Sequence, residues 1–244
     1  MNTVPTSVDC IVIGSGPGGS ACAAELANVG SVLVLEAGPD YGPASSGRWP
    51  ADLLEAFDLA ESHGWGYDSG TTYPERVVPF SRARVLGGCS SHNGCAAIWG
   101  HRLDYDSWAA AGNPGWATDD LVPLFHAVNQ AMRVRQPGPA EITPFHQAML
   151  DAAAVIGIPM ATDLNDLDDP LGMAASPVNI WHGIRWNAGF AFLDPIRDRT
   201  NVTVLGDALV TRLLFEGMRV SGVEVVINGH VTRISAGTVV VAGG

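Results

Sequence analysis

Residues Asp9–Gly38 read DCIVIGSGPGGSACAAELANVGSVLVLEAG. A short apolar run, Cys10–Ile13, predicts a buried parallel strand. It stops at Gly14-Ser15-Gly16-Pro17-Gly18-Gly19. Small residues follow (Ser20, Ala21, Ala23, Ala24), as a helix packed close on a sheet requires. A second apolar run, Val32–Leu35, ends in Glu36. The order is strand, G-x-G-x-x-G, helix, strand, acid. Gly14 allows the tight turn, Gly16 opens the backbone to a pyrophosphate, and Gly19 lets the helix lie close to the strand. The helix N-terminus attracts the phosphate charge. Glu36 lies 22 residues after Gly14, where a carboxylate reaches a ribose hydroxyl. A glycine turn without a ligand would explain neither the flanking strands nor the spaced acid, so a dinucleotide site is expected here.

The rest of the chain is consistent with a globular α/β enzyme. Of 244 residues, 47% are apolar and 16% charged, which excludes a disordered chain. Net charge is −12, and all 13 basic residues are Arg. Such a surface repels nucleic acid and anionic membranes, which need clustered positive charge. No apolar run approaches the ~20 residues of a membrane span. The start, MNTVPTSVDC, lacks a basic leader region. Cys10, Cys22, Cys89 and Cys95 form no C-x-x-C pair. Cys10 and Cys22 occupy apolar positions and read as core thiols, so a reduced, cytoplasmic setting and no metal site are expected.

A second glycine-rich stretch, Arg82–Gly100, reads RARVLGGCSSHNGCAAIWG. It lacks a helical period and suits a backbone laid against a ligand. Between the two stretches, Asp52 is expected to cap a short helix carrying Leu53, Leu54 and Phe57. Ser62–Pro79 reads as irregular and aromatic, with Trp65 and Tyr67 as candidates to cover a ligand. Thr118 is expected to cap a helix with the apolar stripe Leu121, Leu124, Phe125, Val128, Met132. Thr143 is expected to cap another, opened by Pro144 and closed by Gly157. Asp163–Pro170 reads as a loop. Val202–Leu205 reads as a third parallel strand. Ala208–Phe215, Arg219–Ile227 and His230–Ser235 read as an antiparallel meander, with Asn228-Gly229 as a hairpin turn. Thr238–Ala242 reads as a further buried strand ending at Gly243-Gly244, and the chain looks cut inside a domain.

Arg84-Val85-Leu86-Gly87-Gly88-Cys89-Ser90-Ser91-His92-Asn93, then Asp104-Tyr105-Asp106-x-Trp108, resemble the signatures of the glucose–methanol–choline oxidoreductases, flavin-dependent alcohol oxidases and dehydrogenases. The choline oxidase and choline dehydrogenase-like branch is the most similar. The resemblance extends through Arg185, Leu193-Asp194-Pro195 and the meander. It implies a Rossmann-like FAD-binding domain, a parallel sheet plus a three-stranded meander, with part of a substrate domain. The expected divisions are 1–136 and 185–244 for the FAD domain and 137–184 for the substrate segment. The implied nucleotide contacts are Gly14, Ser15, Gly16, Gly19, Glu36 and Ala37, with Val210 at the adenine and Ala242 beside the loop. The implied flavin-side contacts are Arg84, Gly87, Gly88, Ser91, His92, Asn93, Gly94 and Cys95. In choline oxidase a His matching His92 is bonded covalently to the flavin. Gly94 departs from the Ser found there, which leaves a sugar, polyol or aliphatic alcohol as alternative substrates. The family's catalytic His matches none of the seven histidines, so a non-catalytic flavin-binding chain is the other alternative. A small alcohol is the expected partner, and a homo-oligomer stays open.

Overall fold

A computed structural model describes residues 4–70, 76–168 and 172–244. Residues 71–75 of the aromatic stretch and 169–170 of the acidic loop lie outside the described residues. Two compact units form. One comprises the residues up to Gly94 together with Gly183–Gly244, and the other is Cys95–His182. The first division falls after Gly94 and not at 136. Backbone pairing explains this: Asn179 N–H donates to Cys95 O at 3.0 Å, and Arg135 and Val178 bond each other's backbones at 3.0 and 2.9 Å. These bonds tie the segments on either side of 136 into one unit.

The first unit is built on β1 (Ser7–Ile13), α1 (Pro17–Leu26) and β2 (Val32–Leu35). β1 and β2 pair in parallel, and β2 pairs in parallel with β3 (Val202–Leu205). β4 (Ala208–Glu216) and β5 (Arg219–Ile227) form the expected hairpin. The expected third meander strand and last parallel strand are one strand, β6 (His230–Val241). Its first half pairs antiparallel with β5, its second half parallel with β1, and Ser235 pairs with both Gly222 and Ser7. The break read at Ala236-Gly237 is absent because Gly237 stays in register, where its lack of a side chain suits the nearby Asp9 carbonyl. The six strands form one sheet in the order β3-β2-β1-β6-β5-β4.

Alternation along the strands divides the core. Cys10, Val12, Val32 and Val34 pack with Ala23 and Ala27 of α1 and with Phe190 and Leu193. Ile11, Leu33 and Leu35 face the other way, onto Val223, Val225 and Ile234. A sheet covered on both faces needs such continuous apolar strands. Cys10 is buried as expected. Cys22 is exposed, on the outer face of α1. Among the described residues none of the four cysteines is in a disulfide.

Two expected caps are corrected. α2 (Ala51–Leu54) follows Pro50, with Asp52 in its first turn, where Asp52 accepts from Ser62 N–H at 3.2 Å. In the second unit, α4 (Thr118–Ala131) has Ala117 at its N-cap. There Asp106 of α3 (Arg102–Ala110) accepts from Thr118 N–H at 2.9 Å and so supplies the cap. That bond holds the Asp106 carboxyl below its usual range. Of the expected stripe on α4 Leu121 is buried, while Leu124 and Val128 are exposed. Thr143 does cap α5 (Pro144–Val155), accepting from His146 N–H at 3.3 Å, and Gly157 follows with positive φ.

Candidate functional site

The site forms where the two glycine-rich stretches meet. Gly14 has φ +91°, and a Cβ there would lie 2.6 Å from Ala242 O. A Cβ on Gly19 would lie 2.0 Å from Gly14 O, so the helix can approach the turn only without a side chain. At Gly16 a Cβ would meet nothing within 4 Å, which leaves the backbone open on that side. The first N–H groups of α1 have no partner within the helix. Together these features give the turn the geometry that suits an anion.

Glu36, buried at 6% exposure, braces this turn. Its Oε2 accepts from Ser15 N–H at 3.0 Å and from Ser15 Oγ at 2.6 Å, and its Oε1 accepts from Gly38 N–H at 2.9 Å. A carboxylate offers about four acceptor sites, so capacity remains for a ribose hydroxyl. Ser15 also joins the two stretches, because its Oγ accepts from Gly87 N–H at 3.1 Å. Gly87 has φ +86° and Gly88 φ +55°. A Cβ on Gly88 would lie 2.8 Å from the Gly16 Cα. Ser90 and Ser91 turn inward, donating to Gly87 O at 2.6 Å and Leu86 O at 2.7 Å.

A cavity of about 630 Å³ opens over this junction. Of the residues expected at the cofactor, Gly14, Gly16, Glu36, Ala37, Gly88, Val210 and Ala242 line it. Ser15 and Gly19 lie buried behind its wall. Arg84, Gly87, Ser91, His92, Asn93, Gly94 and Cys95 do not line it. Arg84 donates through Nε to Ala37 O at 3.0 Å. His92 is half-buried, with Nε2 3.0 Å from Ser62 O. Gly94 closes the first unit and Cys95 belongs to the second.

Trp65, Tyr67, Phe80 and Arg82 also line the cavity. Trp65 and Tyr67 lie in the stretch read as irregular and form a ribbon with Phe80 and Arg82, which follow it. Trp65 N–H donates to Arg82 O, and Phe80 N–H to Tyr67 O, both at 2.9 Å. Trp65 and Tyr67 stack 5.8 Å apart and 9° from parallel. The guanidinium of Arg82 lies 3.9 Å over the Phe80 ring, and that of Arg84 lies 5.0 Å from Trp65. Reading alone missed Arg82 and Phe80. Their alternation with Ser81 and Ala83, opposite Trp65 and Tyr67, was the available signal.

Beneath the site lies Arg185, with 0% exposure. It donates to the carbonyls of Asn93 (2.8 Å), Leu53 (3.0 Å), Asp52 (3.1 Å), Ser91 (3.2 Å) and Asp58 (2.5 Å). A second, half-buried network joins Arg197 to Asp40 at 2.6 Å. Beside it, burial raises the Asp194 carboxyl above its usual range, against the opposing bond from Ala44 N–H and the charge of Arg197. Among the described residues no cluster of His, Cys, Asp or Glu could hold a metal, and no helix is long and apolar enough to cross a membrane.

An open Gly16 face, unpartnered helix N–H groups and a buried acid beside the turn suit the ADP half of a flavin dinucleotide. Known proteins agree with this architecture. Human mitochondrial choline dehydrogenase is 33% identical over 255 residues, covering 96% of this chain and 43% of that protein. The oxygen-dependent choline dehydrogenase of Brucella anthropi is 34% identical over 236 residues, covering 89% of this chain and 42% of that protein. The chain therefore spans less than half the length of these relatives. Among solved structures, pyridoxine 4-oxidase from Mesorbium loti superposes with a TM-score of 0.85 at 27% identity, covering 97% of this chain and 49% of that one. An FAD-dependent oxidoreductase from Chaetomium thermophilum gives 0.79 at 26% identity, covering 97% and 45%. Residues 8–244 match the GMC oxidoreductase family, and the chain belongs to it.

Proposed function

We propose that the first unit holds FAD and that the protein oxidises an alcohol, choline or a compound like it, to a carbonyl compound. The observation that carries this is the junction of Gly16 with Gly88 under a cavity bordered by Glu36. The Gly14–Gly19 turn and the start of α1 receive the pyrophosphate. Glu36 orients the ribose through its unused lone pairs, and the backbone at Val210 meets the adenine. The stretch Gly87–Gly94 extends toward the flavin ring, and we place a histidyl–flavin bond at His92. Flavin, when bound, supplies the acceptor for a hydride. Arg185 fixes the backbone on both sides of His92. No base is assigned among these residues, so we infer that these 244 residues alone turn over no alcohol. Four cysteines outside any disulfide fit a cytoplasmic setting.

The relatives named choline dehydrogenase support the substrate class. Gly94 favours a second reading, a sugar, polyol or aliphatic alcohol. The test is titration of the chain with FAD, followed by denaturation. Saturable binding with a flavin spectrum is expected, and colour that stays with the unfolded wild-type chain but leaves unfolded His92→Ala. A chain that takes up no FAD overturns the cofactor reading, and free flavin from denatured wild type overturns the bond at His92.

A further inference from the structure

We infer that Ser62 sets the protonation pattern of His92: Nε2 carries the hydrogen and Nδ1 carries the lone pair. The deduction starts from the bond between His92 Nε2 and the Ser62 carbonyl oxygen, 3.0 Å apart. A carbonyl oxygen has no proton to give, so the imidazole must donate. In a neutral ring the other nitrogen is then the acceptor. This leaves Nδ1 as the atom through which neutral His92 can accept a hydrogen bond or form a bond.

The carbonyl that makes this choice is itself held. Ser62 N–H donates to Asp52 Oδ2 at 3.2 Å. The bond from the Ser62 side chain is the main reason the Asp52 carboxyl lies below its usual range. The Ser62 hydroxyl also meets Nδ1 of His63, whose Nε2 lies 2.8 Å from the Tyr41 hydroxyl. The backbone that carries His92 is fixed as well. Arg185 takes the carbonyls of Ser91 and Asn93 on either side of it, and His92 N–H donates to Cys89 O at 3.2 Å. With main chain and ring edge both anchored, neutral His92 has one tautomer. Ser62 is a positioning residue here, acting through His92. The significance for chemistry rests on the reading that this stretch runs along the flavin; the tautomer itself does not.

The test is a long-range proton–nitrogen correlation spectrum of the whole chain labelled at histidine. It is run at pH about 8, above the ordinary imidazole pKa of about 6.5. The His92 signals are assigned by their loss in His92→Gln. The expected result is a single Nε2–H form in the wild type, a mixture of tautomers in Ser62→Ala, and return to the single form in Ser62→Thr. An Nδ1–H form in the wild type overturns the inference. A Ser62→Ala spectrum identical to wild type overturns the role of the Ser62 side chain. Should Ser62→Ala fail to fold, the wild-type spectrum alone decides the tautomer. FAD titration of the same sample is a separate readout. A chain with the Nε2–H form that binds no FAD sinks the cofactor reading and keeps the tautomer.

Discussion

Glu36 and Arg185 are both buried polar residues, and they do opposite jobs. Glu36 collects three donors, two from Ser15 and one from Gly38. Glu36→Gln replaces one accepting oxygen with an NH₂ group that faces a donor. FAD affinity should fall roughly tenfold, about 1.4 kcal/mol, in a fluorescence titration; unchanged affinity would remove Glu36 from the site. Arg185 gives its hydrogens to five carbonyls. Arg185→Met leaves those carbonyls without a partner and should cost roughly 3 kcal/mol or more in urea unfolding. A loss under 1 kcal/mol, about the net value of one ordinary hydrogen bond, would show that other donors replace it. The two residues were not equally legible. Glu36 stands at a fixed spacing after a glycine turn, and that spacing is a physical requirement of nucleotide binding. Arg185 carries no local pattern, and arginine is usually exposed. Its role depends on carbonyls at 52–58 and 91–93, which only the folded chain brings together.

At the scale of elements, the strand–turn–helix–strand unit follows directly from its residues, because Gly14 and Gly19 each meet a close backbone contact while Gly16 is left open. The long strand β6 did not, because a glycine inside an apolar run reads as a break. Its continuity is set by two neighbours, β5 and β1, that lie far away in sequence. The caps of α2 and α4 failed for a related reason. A cap is read from the adjacent residue, whereas α4 takes its cap from Asp106 of α3. The ribbon of Trp65 and Phe80 was half legible: its aromatics were visible, its pairing was not. The turn around Pro137–Glu141 gives an element-level prediction. Glu141 meets Arg135 at 2.6 Å and accepts from Gly138 N–H at 2.6 Å. The Arg135 guanidinium first, and that N–H second, pull its pKa from 4.5 to about 2. The folded chain therefore keeps a carboxylate that the unfolded chain would protonate. Its contribution to stability is full above pH 4.5 and is lost as pH falls toward 2. Glu141→Gln should flatten the plot of urea midpoint against pH across that window. An unchanged slope would assign the acid sensitivity to other carboxylates.

On the scale of the whole chain, the two units predict a divided response to cofactor. Bound FAD should slow amide hydrogen exchange in the first unit, at Gly14–Gly19, Glu36–Gly38 and Gly87–Gly88. Exchange across Cys95–His182 should stay as it was, because every residue lining the cavity belongs to the first unit. Equal slowing in both units would mean that FAD stabilises the chain globally.

The pairing of β6 with β1 also sets a timetable. Ser7 pairs with Ser235, 228 residues further along the chain. At ribosomal rates of about 5–20 residues per second, β1 waits on the order of 10–50 s for that neighbour to be made. The Gly14 turn is seated against Ala242, so this glycine loop is completed only after β6 has been made. During that interval one edge of β1 is open, and an open apolar edge is where chains join wrongly. The nascent chain is therefore expected to need holding until β6 arrives, and FAD can assist only after that point.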